Sequence, residues 1–217
     1  GGDPKDPFTG YEEAFELDEM LKSLLSLGIY VRPAVRAEYA ERPGVGNFES
    51  EFFQPWLWKP PLANPALERM DAADAFWAAR IASRFTDGDV ERLVATGELE
   101  DPSDREYVTR TLIVRRDKSV AYWLTRTNPL EDFRAEAGPV LAFANAAGRL
   151  GIVSGGSRYR ARWLRLDNDE GRFTRVGEPS RPVDAGRFPV PEDAWGPVDR
   201  FGLRYAAVEV STLHPRY

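Results

Sequence analysis

The chain has 217 residues, with 35 Asp and Glu against 29 Lys and Arg for a formal net charge of −6, no cysteine and one histidine. That balance argues against a nucleic-acid partner, which needs a concentrated cationic surface. The missing thiols exclude disulfides, thiolate metal sites and cysteine nucleophiles. A hydrophobic fraction of 42%, with six Trp, eight Tyr and twelve Phe, is far from a disordered or fibrous composition; at this length folding removes roughly 70% of the unfolded chain's surface.

Residues 1–10 mix Gly, Pro, Asp and Lys without periodicity and read as a tether. The start at Gly1-Gly2, without an initiator Met or a basic-then-apolar leader, predicts a processed or truncated product. The richest apolar run, Met20 to Ile29, is broken by Lys22, Ser23, Ser26 and Gly28, so no membrane span is expected in this chain. The first helix is predicted at Asp18 to Leu27, with Leu17, Leu21, Leu24 and Leu25 on one face and Gly28 as a left-handed cap. From Val31 to Leu67 six prolines interrupt a stretch that also holds Phe48, Phe52, Phe53, Trp56 and Trp58. So aromatic an irregular segment is predicted to wrap over the helices as a strap, because left in water it would expose a large apolar patch.

Three helix starts follow, each pairing a capping side chain with an acid: Asp71 with Asp74, Thr86 with Asp89, and Asp101 with Pro102 and Asp104. The first of these helices is read with Ala73, Phe76, Trp77, Arg80, Ile81 and Phe85 inward, and the second with Val90, Leu93 and Val94 inward. The third is read as a long helix from about Ser103 to Thr125, with Arg115-Arg116-Asp117-Lys118 on its solvated side and Asn128-Pro129 as its stop. Past Gly138 the period changes to two, with strands predicted at Val140–Ala144, Ser157–Leu166, Phe173–Val176 and Leu203–Ser211. A bulge or change of face is expected at Trp163-Leu164, and a Pro-rich loop from Pro179 to Pro197. The predicted fold is α+β: a helical module over 1–135 with the strap at 31–67, then a small antiparallel, sandwich-like β module over 136–217.

No catalytic, cofactor-binding or metal-binding constellation can be assembled from these residues. His214 stands alone, which leaves no histidine pair for a metal. The tract Gly151 to Gly156 lacks the spacing of either phosphate-binding glycine loop and reads as a hairpin or loop. Asp167 and Asp169 in D-N-D-E-G match a few positions of a calcium loop, yet these residue types also make a tight hairpin turn, the plainer reading. Glu49 and Glu51, if extended, would share a side and could flank a sugar ring, but acids in an aromatic strap are read first as binding local backbone or a nearby arginine. Two surfaces stand out. Arg158, Arg160 and Arg162, with Arg165 as a further candidate, place guanidinium groups about 7 Å apart along one strand face, suited to an anionic ligand or partner. Their bland reading is pairing with Glu178, Glu192 or Glu209. Phe52, Phe53, Trp56 and Trp58 form the second candidate surface, and Trp56, Trp58 and Trp195 are the platforms a carbohydrate-binding module would use.

At D-E-M-L-K-S-L-L-S-L-G-I-Y (18–30), N-P-A-L-E-R-M-D-A-A-D-A-F-W-A-A-R-I (64–81), D-P-S-D-R-E-Y (101–107), T-L-I-V-R-R-D-K (111–118), W-L-R-L-D-N-D-E-G (163–171) and the final L-H-P, the chain resembles the C-terminal region of a group of exported bacterial proteins without an established activity. Upstream of this region those proteins resemble atypical kinases. The resemblance implies that a phosphate-binding Lys, a catalytic Asp and a D-F-G-type metal motif lie before Gly1, and none can be placed on these residues. It further implies a periplasmic or otherwise exported location, with a bacterial cytosol, which the absence of cysteine fits equally, as the alternative, and as partner either another protein or the upstream segment of the same gene product. The expected role is a non-catalytic interaction segment. The alternatives are an accessory part of an ATP-dependent phosphotransferase and a carbohydrate-binding module.

Overall fold

A computed structural model describes residues 17–27, 29–30, 42–58, 62 and 64–215. The predicted tether, the Gly28 cap and part of the strap lie outside the described residues. The fold is α+β, and the chain divides into two compact units, residues 1–123 and 124–217.

In the first unit, helix α1 spans Leu17–Leu25 and α2 Pro65–Glu68, with Asn64 capping the Ala66 N–H. Helices α3 (Ala72–Ala82) and α4 (Asp87–Ala95) begin at full capping boxes. In the first, Asp71 accepts from the Ala73 and Asp74 N–H groups while Asp74 accepts from the Asp71 N–H. In the second, Thr86 accepts from the Asp89 N–H and Asp89 from that of Thr86. These reciprocal bonds satisfy donors that the first helical turn cannot, which is why both starts were readable from local sequence. Helix α5 (Pro102–Leu124) places proline where its missing N–H costs nothing.

The inward faces are partly different from those expected. On α3 the buried residues are Ala75 and Ala79, while Trp77, Ile81 and Phe85 are exposed, Trp77 by 64%. A small-residue face admits close approach by its neighbours, so bulk is a poor guide to the phase of this helix. On α4, Val90 and Val94 are buried as expected and Leu93 is exposed.

In the second unit, strands β1 (Leu130–Glu136), β2 (Val140–Asn145) and β5 (Arg187–Pro189) form one antiparallel sheet in the order β1-β2-β5. Strands β3 (Arg158–Asp167), β4 (Arg172–Val176) and β6 (Tyr205–Leu213) form a second, in the order β4-β3-β6. A short helix, α6 (Ala146–Arg149), follows β2, with Asn145 accepting from the Gly148 N–H. Strands β1 and β5 were not anticipated. Strand β1 hides its alternation because two residues, Asp132 and Phe133, stand opposite the one residue Phe143, with Asp132 at φ 54°. Strand β5 is three residues inside the Pro-rich loop.

The two sheets share one core. Leu130, Phe143 and Phe188 from the first meet Tyr159, Ala161 and Trp163 from the second, with Ala194 closing one end. The Phe143 and Tyr159 rings meet edge to face at 5.1 Å, a geometry their quadrupoles favour. Because side chains alternate across a strand, burying Tyr159, Ala161 and Trp163 sends Arg158, Arg160 and Arg162 to the opposite face.

Candidate functional site

The β3–β6 ladder runs without interruption from Arg158 opposite Leu213 to Leu166 opposite Tyr205. The bulge expected at Trp163-Leu164 is therefore absent. With the register unbroken, Arg165 falls on the face of Trp163, not on that of the other three arginines. Its guanidinium donates to the Asp193 carbonyl at 2.8 and 3.1 Å. This removes Arg165 from the arginine face.

Arg158, Arg160 and Arg162 stay together on the outer face, and they gain a neighbour. Arg175 of β4 stands directly opposite Leu164, an outer-face position, so it joins them. Cross-strand pairing was the signal that could have found it, and a single strand's periodicity does not contain that information. Of the acids expected to neutralise the stripe, Glu209 lies opposite Arg162 and approaches it to 3.6 Å, both side chains being well exposed. Glu192 faces Arg204 instead, at 3.6 Å. Arg158, Arg160 and Arg175 have no ion pair or side-chain hydrogen bond among the described residues. Ser211 sits opposite Arg160 and Leu213 opposite Arg158, so the strand beside the stripe adds a hydroxyl and a methyl surface and no further charge.

The turn D-N-D-E-G is a hairpin turn whose carboxylates are already engaged. Asp167 accepts from the Glu170 N–H at 3.2 Å, Asp169 from the Arg200 N–H at 3.0 Å, and Arg172 pairs with Glu170 at 2.9 Å. Among the described residues no group of three His, Asp or Glu is placed to hold a metal ion. Beside this turn, the buried carboxylate of Asp199 accepts from the N–H groups of Leu203 and Phe201, both at 2.9 Å, and from the Asn168 amide at 3.0 Å. The Leu203 N–H, then that of Phe201, hold its pKa below the ordinary carboxylate value against the opposing effect of burial. The Tyr205 hydroxyl also bonds Asp199, and its own pKa is raised by burial and then by that charge.

The sign of the pH dependence follows. A carboxylate with a lowered folded pKa stabilises the fold above the ordinary Asp value near about 4 and loses that contribution as pH falls through the lower folded value. A phenol with a raised pKa contributes below about pH 10 and loses its contribution above it. Thermal melts of Asp199→Asn should therefore lie below wild type at neutral pH and converge with it in strong acid. A deficit that persisted undiminished at pH 2 would refute this account.

In the first unit the predicted aromatic strap is held along α5 by a stripe at helical spacing: Asp104, Tyr107, Arg115, Lys118 and Tyr122, with buried Thr111 between them. Arg42 bridges Asp104 at 2.7 Å and the Ser103 hydroxyl at 3.0 Å. The Tyr107 hydroxyl donates to the Phe48 carbonyl at 2.7 Å. The Arg115 guanidinium lies over the Phe48 and Phe53 rings, 4.3 and 4.7 Å from their centroids, and its Nε donates to the Glu49 carbonyl. The Lys118 ammonium donates to the carbonyls of Ser50, Glu51 and Phe53 at 2.6, 2.8 and 3.4 Å. Trp56 stacks on Tyr122 at 4.5 Å.

One sequence expectation changes here. The run 115–118 is not a solvated face: Arg115 and Lys118 grip the strap, and Arg116 donates to the Phe85 carbonyl and pairs with Asp87 at 2.6 Å. Glu49, 3% exposed, accepts from the Phe52 N–H at 2.8 Å and stands 3.9 Å from Arg115, the local-backbone and arginine contacts favoured for it, while Glu51 is exposed, so the two do not flank a common cleft. Of the candidate interaction residues, Phe53 is buried against α5, whereas Phe52, Trp56 and Trp58 remain well exposed. Trp195 is partly buried and belongs to the other unit. His214 lies 3.4 Å from the Ser154 carbonyl.

No helix among the described residues is long and apolar enough to cross a membrane. No family model matches this chain, and no curated protein and no solved structure is similar to it.

Proposed function

We propose that the chain is a non-catalytic interaction segment that grips a partner presenting a row of anionic groups on the outer face of β4-β3-β6. One observation carries the reading: four arginines, Arg158, Arg160, Arg162 and Arg175, share that face with Glu209 as the one acid facing them across the β3–β6 ladder. Three of them alternate along β3 at a repeat of roughly 7 Å. A guanidinium presents a planar fork of donors to phosphate, sulfate or carboxylate, so a row of four recognises a linear polyanion or an acidic chain better than a single small anion. In a protein of net charge −6, such a face gathers anionic partners against the overall sign of the molecule.

The wider reading places the segment at the C-terminal end of an exported, kinase-like protein, or in a peripheral subunit of an envelope-associated assembly. The arginine face would then serve a partner protein or the upstream segment. The alternative, an accessory part of an ATP-dependent phosphotransferase, gives the same arginines a phosphate-bearing substrate. Adding ATP and Mg²⁺ separates the two: a thermal shift of the full gene product that is absent for this chain supports the accessory role.

The direct test is retention on immobilised inorganic polyphosphate at low salt, with polyglutamate as the carboxylate counterpart. Retention should fall steeply with salt. It should be abolished in the Arg158→Ala/Arg160→Ala/Arg175→Ala variant, whose stability should stay within about 0.5 kcal/mol per site because these side chains are exposed. Undiminished retention of that variant would overturn the assignment.

A further inference from the structure

The first unit leaves two apolar surfaces open at once. Along α1 the side chains of Leu17, Leu21, Leu24 and Leu25 are all largely exposed, Leu25 by 81%. These positions form the i, i+4, i+7, i+8 stripe that an amphipathic helix lays into a groove. The second surface is a groove of about 470 Å³ lined by Arg84, Phe85, Asp89, Arg92, Leu93 and Thr96. Trp77 and Ile81 of the preceding helix α3 are exposed as well.

The two surfaces match in charge. The α1 sequence, L-D-E-M-L-K-S-L-L, is net negative. The groove lining carries two guanidinium groups against one carboxylate, and that carboxylate, Asp89, is already paired with Arg92. Arg84 is left as a cation without a partner among the described residues.

We propose that two copies of the chain pair by reciprocal exchange of α1, the leucine face of each seating in the groove that α4 and residues 84–85 form in the other. Within one folded copy both surfaces stand open, so a contact between them joins separate copies. A single short helix buries too little to hold two proteins together, since specific interfaces bury roughly 1,200–2,000 Å². Two such contacts related by a two-fold axis double the area and close the assembly, where a one-way contact would propagate into a filament.

The absence of native cysteine makes the test clean. A chain carrying both Leu24→Cys and Leu93→Cys is oxidised mildly and run on a denaturing gel. Reciprocal exchange gives a disulfide-linked dimer, whereas a cross-link confined to the monomer means that α1 reaches its own groove and overturns the proposal. Light scattering on the unmodified chain provides the second measurement. It should show a dimer whose dissociation constant rises at least about a hundredfold in Leu21→Asp/Leu24→Asp and, separately, in Leu93→Asp. Mixing those two variants should restore association in part, because the intact helix of one fits the intact groove of the other. A wild-type monomer up to about 100 µM, or a dimer unaffected by both variants, refutes the exchange.

Discussion

Gly196→Ala should lower the melting temperature of the second unit more than any other single methyl addition within it. A Cβ built at this position falls 1.9 Å from the Leu166 carbonyl oxygen, 2.9 Å from its carbon and 3.2 Å from the Tyr205 carbonyl oxygen, all backbone atoms. Leu166 and Tyr205 form the end rung of the β3–β6 ladder, and Gly196 is tied to that rung by its own N–H, which donates to the Tyr205 carbonyl at 2.8 Å. The Arg204 Nε holds the Gly196 carbonyl at 3.0 Å from the other side. Neither strand can retreat without losing the rung, so the cost exceeds that of ordinary overpacking, about 3 kcal/mol or more. For a unit of this size that is a fall of about 12 °C or more, visible by calorimetry. Gly156→Ala is the matched control: its Cβ meets nothing within 4 Å, and its melting temperature should stay close to wild type. Equal melting of the two variants would show that the β3–β6 end is far more plastic than its hydrogen bonds imply.

The second large effect is expected at Arg115→Ala. Its guanidinium fills the space between Phe48 and Phe53, donates to the Glu49 carbonyl and stands 3.9 Å from the buried Glu49 carboxylate. Truncation removes two cation–π contacts, a charge-assisted hydrogen bond and the cation adjoining a buried anion, a loss of about 3 kcal/mol. Arg115→Lys keeps the charge and loses the planar fork and the stacking, so it should recover part of the deficit and not all of it. Arg110→Ala, an exposed site on the same helix, should cost less than about 0.5 kcal/mol. Denaturant titration reads all three, and limited proteolysis between residues 42 and 58 reports strap release directly. A strap that stayed protected in Arg115→Ala would assign its attachment to Lys118 and Tyr107 instead.

What was legible in the sequence was whatever is local. The boxes Asp71–Asp74 and Thr86–Asp89 announce their helices because donor and acceptor lie three residues apart, and Pro102 marks the entry to α5 for a similar reason. Alternation along β3 placed Arg158, Arg160 and Arg162 on one face without reference to any other strand. What needed a partner was lost. Arg175 joins that face through pairing, and Arg165 leaves it because the ladder does not bulge. The true face of α3 follows Ala75 and Ala79, whose small size carries little weight in any hydrophobic count. The strap's anchors sit on α5 some sixty residues from the carbonyls they hold, a separation at which a charged run reads as a solvated surface.

The order of strands in the second sheet also sets an order in time. Strands β3 and β4 are joined by the short turn after Asp167, so their hairpin closes over a few residues, on the microsecond scale of local pairing. Strand β6 meets β3 only across a loop of about forty residues, whose closure entropy must be met before any rung rewards it. The hairpin is then an early species that displays Arg158, Arg160, Arg162 and Arg175 before Glu209 arrives opposite them. Until the last strand docks, the nascent sheet is more cationic than the native one, and polyanions in solution should retain the half-built form and slow its maturation.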